Sequence, residues 1–298
     1  MNMIAAHLIL GIDGGGTGCR AALCDLAGTP LGQAKGGAAN YTSDPAATLT
    51  HVRLAAMEAA ADAGLTSDVL TRCTAHVGLA GVMTAADQAA VAAALPFGAI
   101  TVSDDRLTTA VGALGPRDGA LAAVGTGSFV AVRRGESIRY FGGWGLRVGD
   151  QASGAWLGRG ALETCLLVHD GLAPGSDLIR DLMAHFDNDP VQIVNFARTA
   201  QPRDHAGFAR QIIDAAAAGD AHGLALMQAG AAYLADCFAQ ADLRDGDVIT
   251  LSGGIGPHYA SYLGPDLGHR IAPPQGTALD GAVRLARDLA AQQGKDAE

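Results

Sequence analysis

The chain has few lysines, few aromatic side chains and no block of basic residues. Lys35 and Lys295 are its two lysines, so the Gly-Lys-Ser/Thr end of a P-loop is absent. A net charge of −10 without a basic cluster argues against nucleic acid and anionic membranes as partners. The apolar run near the N-terminus is too short for a signal peptide or a membrane span. We therefore expect a cytoplasmic protein that contacts neither nucleic acid nor membrane.

The cysteines lack the spacing of a metal site or a disulfide frame. They are scattered and odd in number, and no pair has the Cys-x-x-Cys spacing. This pattern favours reduced thiols that are buried as small hydrophobic side chains. The five are Cys19, Cys24, Cys73, Cys165 and Cys237.

Small and apolar residues are abundant. The 298 residues include 41 glycines, and 49% of the chain is hydrophobic while only 5% is aromatic. This length is enough for one large or two medium domains. Abundant alanine and glycine favour close packing of helices on sheets.

The most informative motif follows the apolar run 8–12. It reads Asp13-Gly14-Gly15-Gly16-Thr17-Gly18 and predicts a buried strand that enters a tight turn. Glycines let backbone N–H groups approach an anion. A carboxylate beside a phosphate needs a divalent cation between them, so Asp13 predicts a magnesium ion there. The Rossmann fingerprint does not fit, because Cys19 stands where the third glycine belongs.

Two further glycine turns follow apolar strands. Gly125-Thr126-Gly127-Ser128 comes after the predicted strand 120–124, and Ser252–Gly256 comes after 247–251. The strand–turn–strand unit at 120–133 resembles the opening unit of the chain, which indicates two related halves. Ligands of such sheets lie at strand ends. Three such turns predict one nucleotide held between two domains.

Hydrophobic patterning and turn residues predict the secondary structure. The predicted strands are 8–12, 19–24, 31–34, 74–79, 100–103, 120–124, 129–133 and 247–251. The predicted helices are 45–63, 85–94, 153–169, 177–185, 207–218, 221–240 and 277–291. We place the boundary between the two halves near 112–118.

Motifs spread over almost the whole chain resemble one superfamily. They are GIDGGGT (11–17), GLAGV (78–82), SDD (103–105), VGTGS (124–128), GGWG (142–145), GD (149–150), SGAWLG (153–158), HDG (169–171) and LSGGI (251–255). The chain resembles the actin/sugar-kinase/chaperone-ATPase superfamily. Within it, the chain is similar to the branch that joins amino-sugar kinases with the BadF/BadG/BcrA/BcrD ATPases.

The resemblance implies the fold and its domains. It implies an α/β fold with two ribonuclease-H-like, actin-like ATPase domains around a nucleotide cleft. The N-terminal domain would span 1–114 and the C-terminal domain 115–278. Residues 279–298 would form a C-terminal helix that packs back on the N-terminal domain.

The resemblance also assigns ATP and Mg²⁺ to the glycine turns. Asp13 would bind the metal through water, and the turn residues Gly14, Gly15, Gly16 and Thr17 would bind phosphate. Gly125, Thr126, Gly127 and Ser128 would meet the β- and γ-phosphates, and Gly253 and Gly254 would pack against the adenosine. An Asx turn at Asp13 is the minor alternative.

The sugar and the catalytic base follow from the same resemblance. Asp105 would take the proton of the sugar hydroxyl, because its spacing to Gly112-Ala113 matches the family. Either Asp104 or Asp105 could instead be a helix N-cap. The sugar-binding residues would be Asn40, Asp104, Thr126, Gly143, Trp144 and Asp150. Trp144 could equally be a packing residue. Gln151 departs from the family, which often has a carboxylate there, and this affects how the 2-substituent of the sugar is read.

The implied activity is phosphorylation of the 6-hydroxyl of N-acetylglucosamine or glucosamine by ATP. The partner would be a small amino sugar. A homodimer is one oligomeric state that the sequence allows. One alternative is a BadF-type ATPase that activates a partner enzyme, but such proteins need cysteines spaced for an iron–sulfur cluster. A non-catalytic sugar sensor is the other alternative, and it would need an added DNA-binding segment or a lost base.

Overall fold

The structure is a computed structural model that describes residues 7–296. It divides into two compact units. The first contains the chain up to Pro116 together with the chain from Pro274 onward, and the second is Arg117–Pro273.

The first unit is built on a mixed five-stranded sheet. Its strands are β1 (Ile9–Gly15), β2 (Gly18–Cys24), β3 (Pro30–Gly36), β4 (Thr74–Leu79) and β5 (Ala99–Asp104). The order across the sheet is β3-β2-β1-β4-β5. β1, β2 and β3 form an antiparallel meander, while β4 and β5 run parallel to β1. Parallel strands place their carboxyl ends at one edge of the sheet.

Helices cover both faces of this sheet. They are α1 (Pro45–Asp62), α2 (Ala85–Ala94), α3 (Asp105–Leu114) and, from the end of the chain, α11 (Ala278–Asp296). Asp44 is the N-cap of α1, and its side chain accepts a hydrogen bond from the Ala47 N–H. The alanine-rich face of α1 is buried in the core. On α11, Ala286 packs with Ile9, Ala22 and Cys24 of the sheet.

The second unit repeats the meander on a smaller scale. Its strands are β6 (Gly119–Val124), β7 (Ser128–Arg134), β8 (Ser137–Gly142) and β9 (Val248–Ser252), in the order β8-β7-β6-β9. β6, β7 and β8 are antiparallel, and β9 is parallel to β6. The predicted α/β fold with two related halves is therefore confirmed.

Helices make up most of the remainder of the second unit. They are α4 (Gly154–His169), α5 (Asp177–His185), α6 (Pro190–Thr199), α7 (Pro202–Ala206), α8 (Ala209–Ala217), α9 (Ala221–Ala239) and α10 (Pro265–Gly268). Three of the scarce phenylalanines meet here: Phe196 lies edge-on to Phe186 and to Phe208, with ring centroids 5.5 and 5.8 Å apart. Such pairs stabilise a core beyond the area that they bury.

Some predicted elements were incomplete or misplaced. β8, α6, α7 and α10 were missed, and the helix predicted over 207–218 is α8, which begins at Ala209 and ends at Ala217. Asp189 caps α6 and Pro190 is its first residue, a start signal that the sequence did contain. The strand predicted over 8–12 continues to Gly15, because pairing with β2 extends into the glycines.

None of the helices within residues 7–296 is long and apolar enough to cross a membrane.

All five cysteines are free and buried, as expected from their spacing.

Candidate active site

The first glycine motif is a tight hairpin rather than a long loop. Asp13 and Gly14 lie in β1 opposite Arg20 and Cys19, and only Gly16 and Thr17 connect the two strands. The observed turn is shorter than the predicted turn 13–18. The residues on either side of it pair as strands, since backbone hydrogen bonds require no side chain. Gly14 is buried, and a Cβ there would lie 2.5 Å from Leu79. This position therefore requires glycine.

Asp13 forms an ion pair across the hairpin. Its Oδ2 is 2.6 Å from Nη2 of Arg20, and the aspartate side chain is 13% exposed while that of Arg20 is 47% exposed. Arg20 was not selected from the sequence, although hairpin register alone places it opposite Asp13. The guanidinium neutralises a carboxylate that would otherwise repel a phosphate.

The parallel strands bring the predicted residues of the first unit to one sheet edge. Asp13 is in register with Gly78, and Leu79 is in register with Asp104. Asn40 lies in a bridge with Ala80, immediately beyond β4. The carboxyl edge of this sheet therefore carries the candidate metal ligand, sugar ligand and base.

Asp104 is the N-cap of α3. Its Oδ1 accepts a hydrogen bond from the Leu107 N–H at 3.2 Å, and its Oδ2 accepts from Arg106 Nε at 2.9 Å and Nη2 at 2.5 Å. Both oxygens therefore have partners within the protein. Carboxylate oxygens accept more than one hydrogen bond, so a sugar contact is compatible with this role.

Asp105 is half-buried at the first position of α3 and forms no ion pair within residues 7–296. Burial and the nearby carboxylates of Asp104 and Asp13 raise the pKa of Asp105 to about 6. A carboxylate with this pKa is a stronger base than an ordinary aspartate and is still ionised at neutral pH. Among the two neighbouring aspartates, Asp105 is the one suited to proton transfer.

A buried histidine connects β4 to β5, the strand that ends at Asp104. His76 Nδ1 is 2.8 Å from Thr101 Oγ1, and His76 Nε2 is 3.0 Å from Ser103 Oγ. Ser103 donates its hydroxyl proton to the Asp104 carbonyl at 2.8 Å, so Ser103 accepts from His76 Nε2–H. Burial lowers the pKa of His76 to about 4, which keeps the ring neutral. The sequence signal for this network was a lone histidine within the otherwise apolar β4.

The loop after β3 is tied to the first hairpin. Ala39 N–H donates to the Gly15 carbonyl at 2.8 Å, and Tyr41 N–H donates to the Ala80 carbonyl at 2.8 Å. Between them, Asn40 accepts the Ser43 N–H at its Oδ1, 3.1 Å away. This bond leaves the Asn40 NH₂ group to meet a hydroxyl oxygen of a ligand.

The glycine turns of the second unit are neighbours. β6 and β9 are parallel, with Ala123 in register with Ser252, so the turns that follow them lie side by side. The Ile255 N–H donates to the Val124 carbonyl at 3.0 Å. The space beside Gly125 and Gly254 is open where a Cβ would stand. This open backbone leaves room for a ligand beside the two turns.

A segment between β8 and α4 crosses the turn Gly125–Ser128. Ser128 Oγ donates to the Gln151 carbonyl at 2.6 Å. The Gly154 N–H donates to the Gly125 carbonyl at 2.8 Å, and the Ala155 N–H donates to the Thr126 carbonyl at 3.2 Å. We call residues 150–155 the strap. Thr126 remains exposed, and its hydroxyl is available to a ligand.

Asp150 and Trp144 belong to one loop. Asp150 is 7% exposed, its Oδ1 accepts the Gly145 N–H at 2.9 Å, and burial raises its pKa. Gly127 faces it, because a Cβ on Gly127 would lie 2.8 Å from Asp150 Oδ2. Trp144 follows Gly143, which has a φ of +76°, and is 70% exposed. An interior packing role therefore does not apply to Trp144.

The donor set suits magnesium carried by a nucleotide rather than a resident metal. Within residues 7–296 no three histidine, cysteine, aspartate or glutamate side chains converge as a metal cage. Mg²⁺ commonly binds through one carboxylate, water and substrate phosphates. Asp13, at the end of a glycine hairpin, fits that pattern.

Comparisons with known proteins identify relatives of this chain. A profile of the BadF/BadG/BcrA/BcrD ATPase family matches residues 10–263. The chain is 34% identical over 282 residues to glucosamine kinase GspK of Vibrio cholerae, with 93% of this chain and 95% of that protein covered.

Solved structures show the same fold. A provisionally named N-acetylglucosamine kinase from Chromobacterium violaceum is 32% identical, with a TM-score of 0.85 over 94% of this chain and 99% of that one. A ROK family glucokinase from Streptomyces griseus, solved with glucose and AMPPNP, has a TM-score of 0.56 and 20% identity, with 96% and 99% covered. The second likeness shows the fold alone.

Proposed function

The chain belongs to the BadF/BadG/BcrA/BcrD ATPase family, and from that premise we propose that it is an ATP-dependent amino-sugar kinase. It transfers the γ-phosphate of ATP to the 6-hydroxyl of glucosamine or N-acetylglucosamine. The relatives named as glucosamine and N-acetylglucosamine kinases support this, since both align along nearly the whole chain. The main observation behind this proposal is that Asp104 and Asp105 have different roles. Asp104 caps α3, whereas the carboxylate of Asp105 forms no ion pair in the described chain.

Asp105 is the proposed base. Its carboxylate accepts the proton of the 6-hydroxyl while that oxygen forms a bond to the γ-phosphorus. The bond between the γ-phosphorus and the bridging oxygen breaks, and ADP leaves with the electron pair. The products are the sugar 6-phosphate, ADP and one proton.

The other residues bind and orient. We assign the phosphates to the backbone N–H groups and hydroxyls of Gly14–Thr17 and Gly125–Ser128, and the adenosine to Gly253 and Gly254. Asn40, Thr126, Gly143, Trp144 and Asp150 are assigned to the sugar. Asp13 would hold a magnesium ion carried by the nucleotide, which would supply positive charge to the phosphate oxygens.

The alternatives have less support. An activator ATPase needs exposed cysteines that converge on a cluster, whereas all five cysteines here are buried. A sugar sensor would not need a half-buried carboxylate of raised pKa at position 105. Buried free thiols also fit a reducing compartment, so we place the enzyme in the cytoplasm.

A coupled assay of ADP release over a panel of hexoses tests the function. Glucosamine, N-acetylglucosamine, glucose and N-acetylmannosamine would each be supplied with ATP and magnesium. We expect turnover with at least one of the two glucosamine sugars and formation of its 6-phosphate, identified by NMR. ATP hydrolysis that no sugar stimulates would contradict the proposal and favour the activator ATPase.

A further inference from the structure

The strap contains two residues in a backbone conformation that L-residues rarely adopt. Asp150 has a φ of +59° and Ala152 a φ of +69°, and neither is glycine. Left-handed conformations of this kind persist only where the surroundings hold them, and they cluster at functional sites. The Ala152 methyl group is fully buried. Something must therefore hold this short segment against its local preference.

Tyr259 supplies such a contact. Its side chain is fully buried, and its hydroxyl donates to the Ala152 carbonyl at 2.8 Å. The hydroxyl packs against Gly230 on α9, where a Cβ would collide with it. Tyr259 ends the short 3₁₀ helix Gly256–Tyr259, which follows the turn at Gly253 and Gly254.

The simplest explanation is a core tyrosine whose hydroxyl needs a partner. Two observations indicate more. The acceptor is the carbonyl of a residue with positive φ, two positions after Asp150. The residue between them, Gln151, receives the Ser128 hydroxyl. The hydrogen bond from Tyr259 therefore holds the part of the strap that connects Asp150 with the turn Gly125–Ser128.

We propose that Tyr259 is a positioning residue for the amino sugar. By holding the Ala152 carbonyl, it keeps Asp150 and Ala152 in their left-handed conformations, which direct the Asp150 side chain toward Gly127 and Gly145. The inference rests on the proposed function, because Asp150 is assigned there to the sugar. It assigns no contact between Tyr259 and any substrate.

Tyr259→Phe tests the inference, because it keeps the ring and removes only the hydroxyl. We expect the KM for the amino sugar to rise about tenfold, the change produced by losing one hydrogen bond and leaving its carbonyl unpaired. We expect kcat and the KM for ATP to change less than about twofold. Titration calorimetry with the sugar and no ATP should show the same loss of affinity.

Ala152→Gly supplies the diagnostic second variant. Glycine adopts positive φ at little cost, so the hydroxyl should matter less in its presence. The double variant Ala152→Gly/Tyr259→Phe should recover much of the sugar affinity that Tyr259→Phe loses. Tyr262→Phe, which removes a partly buried hydroxyl three residues along, is the matched control and should leave sugar affinity unchanged.

The outcomes separate the inference from the proposed function. A lowered melting temperature with an unchanged sugar KM would overturn the positioning role while leaving the kinase intact. Equal losses for ATP and sugar would overturn it as well. Should Tyr259→Phe not fold, Gly230→Ala makes the same test by displacing the hydroxyl, with the same selective rise expected. A wild-type enzyme that phosphorylates no amino sugar would refute the function itself.

Discussion

At the scale of single residues, Asp104 and Asp105 show how two identical neighbours acquire different chemistry. The helix start takes the oxygens of Asp104, while burial beside other carboxylates leaves Asp105 basic. No property of the dipeptide itself distinguishes them. Their backbone positions at the end of β5 and the start of α3 do.

Asp105→Asn should reduce kcat by about a hundredfold or more, the usual scale for loss of a general base. Binding of ATP and sugar should remain close to normal, because the amide has the same shape. Steady-state kinetics with titration calorimetry measure both. Asp104→Asn is the control, since asparagine still caps a helix. If Asp104→Asn loses most of its kcat while Asp105→Asn loses little, the base is Asp104.

The pKa of Asp105 predicts opposite effects of pH on activity and stability. Activity needs the carboxylate, so kcat/KM should fall as pH decreases through about 6. The folded-state pKa lies above the unfolded value, so the stability contribution of Asp105 is full at low pH. It is lost as pH rises through about 6.

The same linkage makes Asp105→Asn more stable than the wild type at neutral pH. The gain should be on the order of 2 kcal/mol at pH 8 and should disappear near pH 3, where both states of the wild type are protonated. Urea unfolding at the two pH values measures it. Equal stability of both proteins at pH 8 would contradict the raised pKa.

Gln151→Glu should shift preference toward free glucosamine. The side chain lies beside Asp150 in the strap, and a new carboxylate would favour the ammonium at the sugar 2-position over a neutral acetamide. We expect the wild type to prefer N-acetylglucosamine slightly. The ratio of kcat/KM for the two sugars, measured in both proteins, checks this. An unchanged ratio would mean that position 151 does not contact the 2-substituent.

At the scale of elements, the His76 network joins the middle of β4 to β5 and reaches the carboxyl end of β5 through Ser103. Thr101, His76 and Ser103 form one directional chain that ends on the Asp104 carbonyl. A strand end would otherwise fray, because its last carbonyls lack ladder partners. The network therefore holds the peptide that precedes Asp105, the proposed base.

His76→Ala should lower both stability and kcat. It removes the partner of the Thr101 hydroxyl and one of the two partners of the buried Ser103 hydroxyl, at a total cost of about 1–3 kcal/mol. Thermal unfolding and kinetics measure the two effects. Thr71→Ala is a control, because it removes a hydroxyl contact on the exposed surface of the same unit. A stable protein of normal kcat would exclude a role for this network.

At the scale of the whole molecule, the two ends of the chain together build the first unit. α11 returns after the entire second unit and buries Ala286 among sheet residues. Its fit depends on Gly281, where a Cβ would collide with the Thr108 carbonyl of α3. The close contact between α11 and α3 therefore depends on a small residue, Gly281, that lies far from α3 in the sequence.

Gly281→Ala should destabilise the protein by about 1–3 kcal/mol, because the backbone contact cannot yield without moving a helix. Gly294→Ala lies on the same helix with open space around it and should be neutral, or stabilising by up to about 1 kcal/mol. Melting temperatures of the pair provide the measurement. Equal effects would show that α11 does not pack closely on α3.

Local sequence determined much of this protein. Three glycine turns after apolar strands, the Asp-Gly-Gly-Gly-Thr motif and the absence of a P-loop lysine identified a nucleotide-binding α/β chain with two related halves. These features are readable because turn geometry and strand burial depend on neighbouring residues. The short helix α7 was missed for the complementary reason, since its five residues carry little periodic signal, whereas α6 was missed although Asp189 and Pro190 mark its start.

Tertiary structure alone decided which polar groups are free to act. Register across the sheet pairs Arg20 with Asp13, burial among strands keeps His76 neutral, and a tyrosine 107 residues away holds Ala152. The Arg20–Asp13 pair lies within one hairpin, whereas the other two contacts join segments 25 and 107 residues apart in the sequence. Hydrogen bonds and desolvation act over a few ångströms of space, so they are set only when the folded chain brings such segments together.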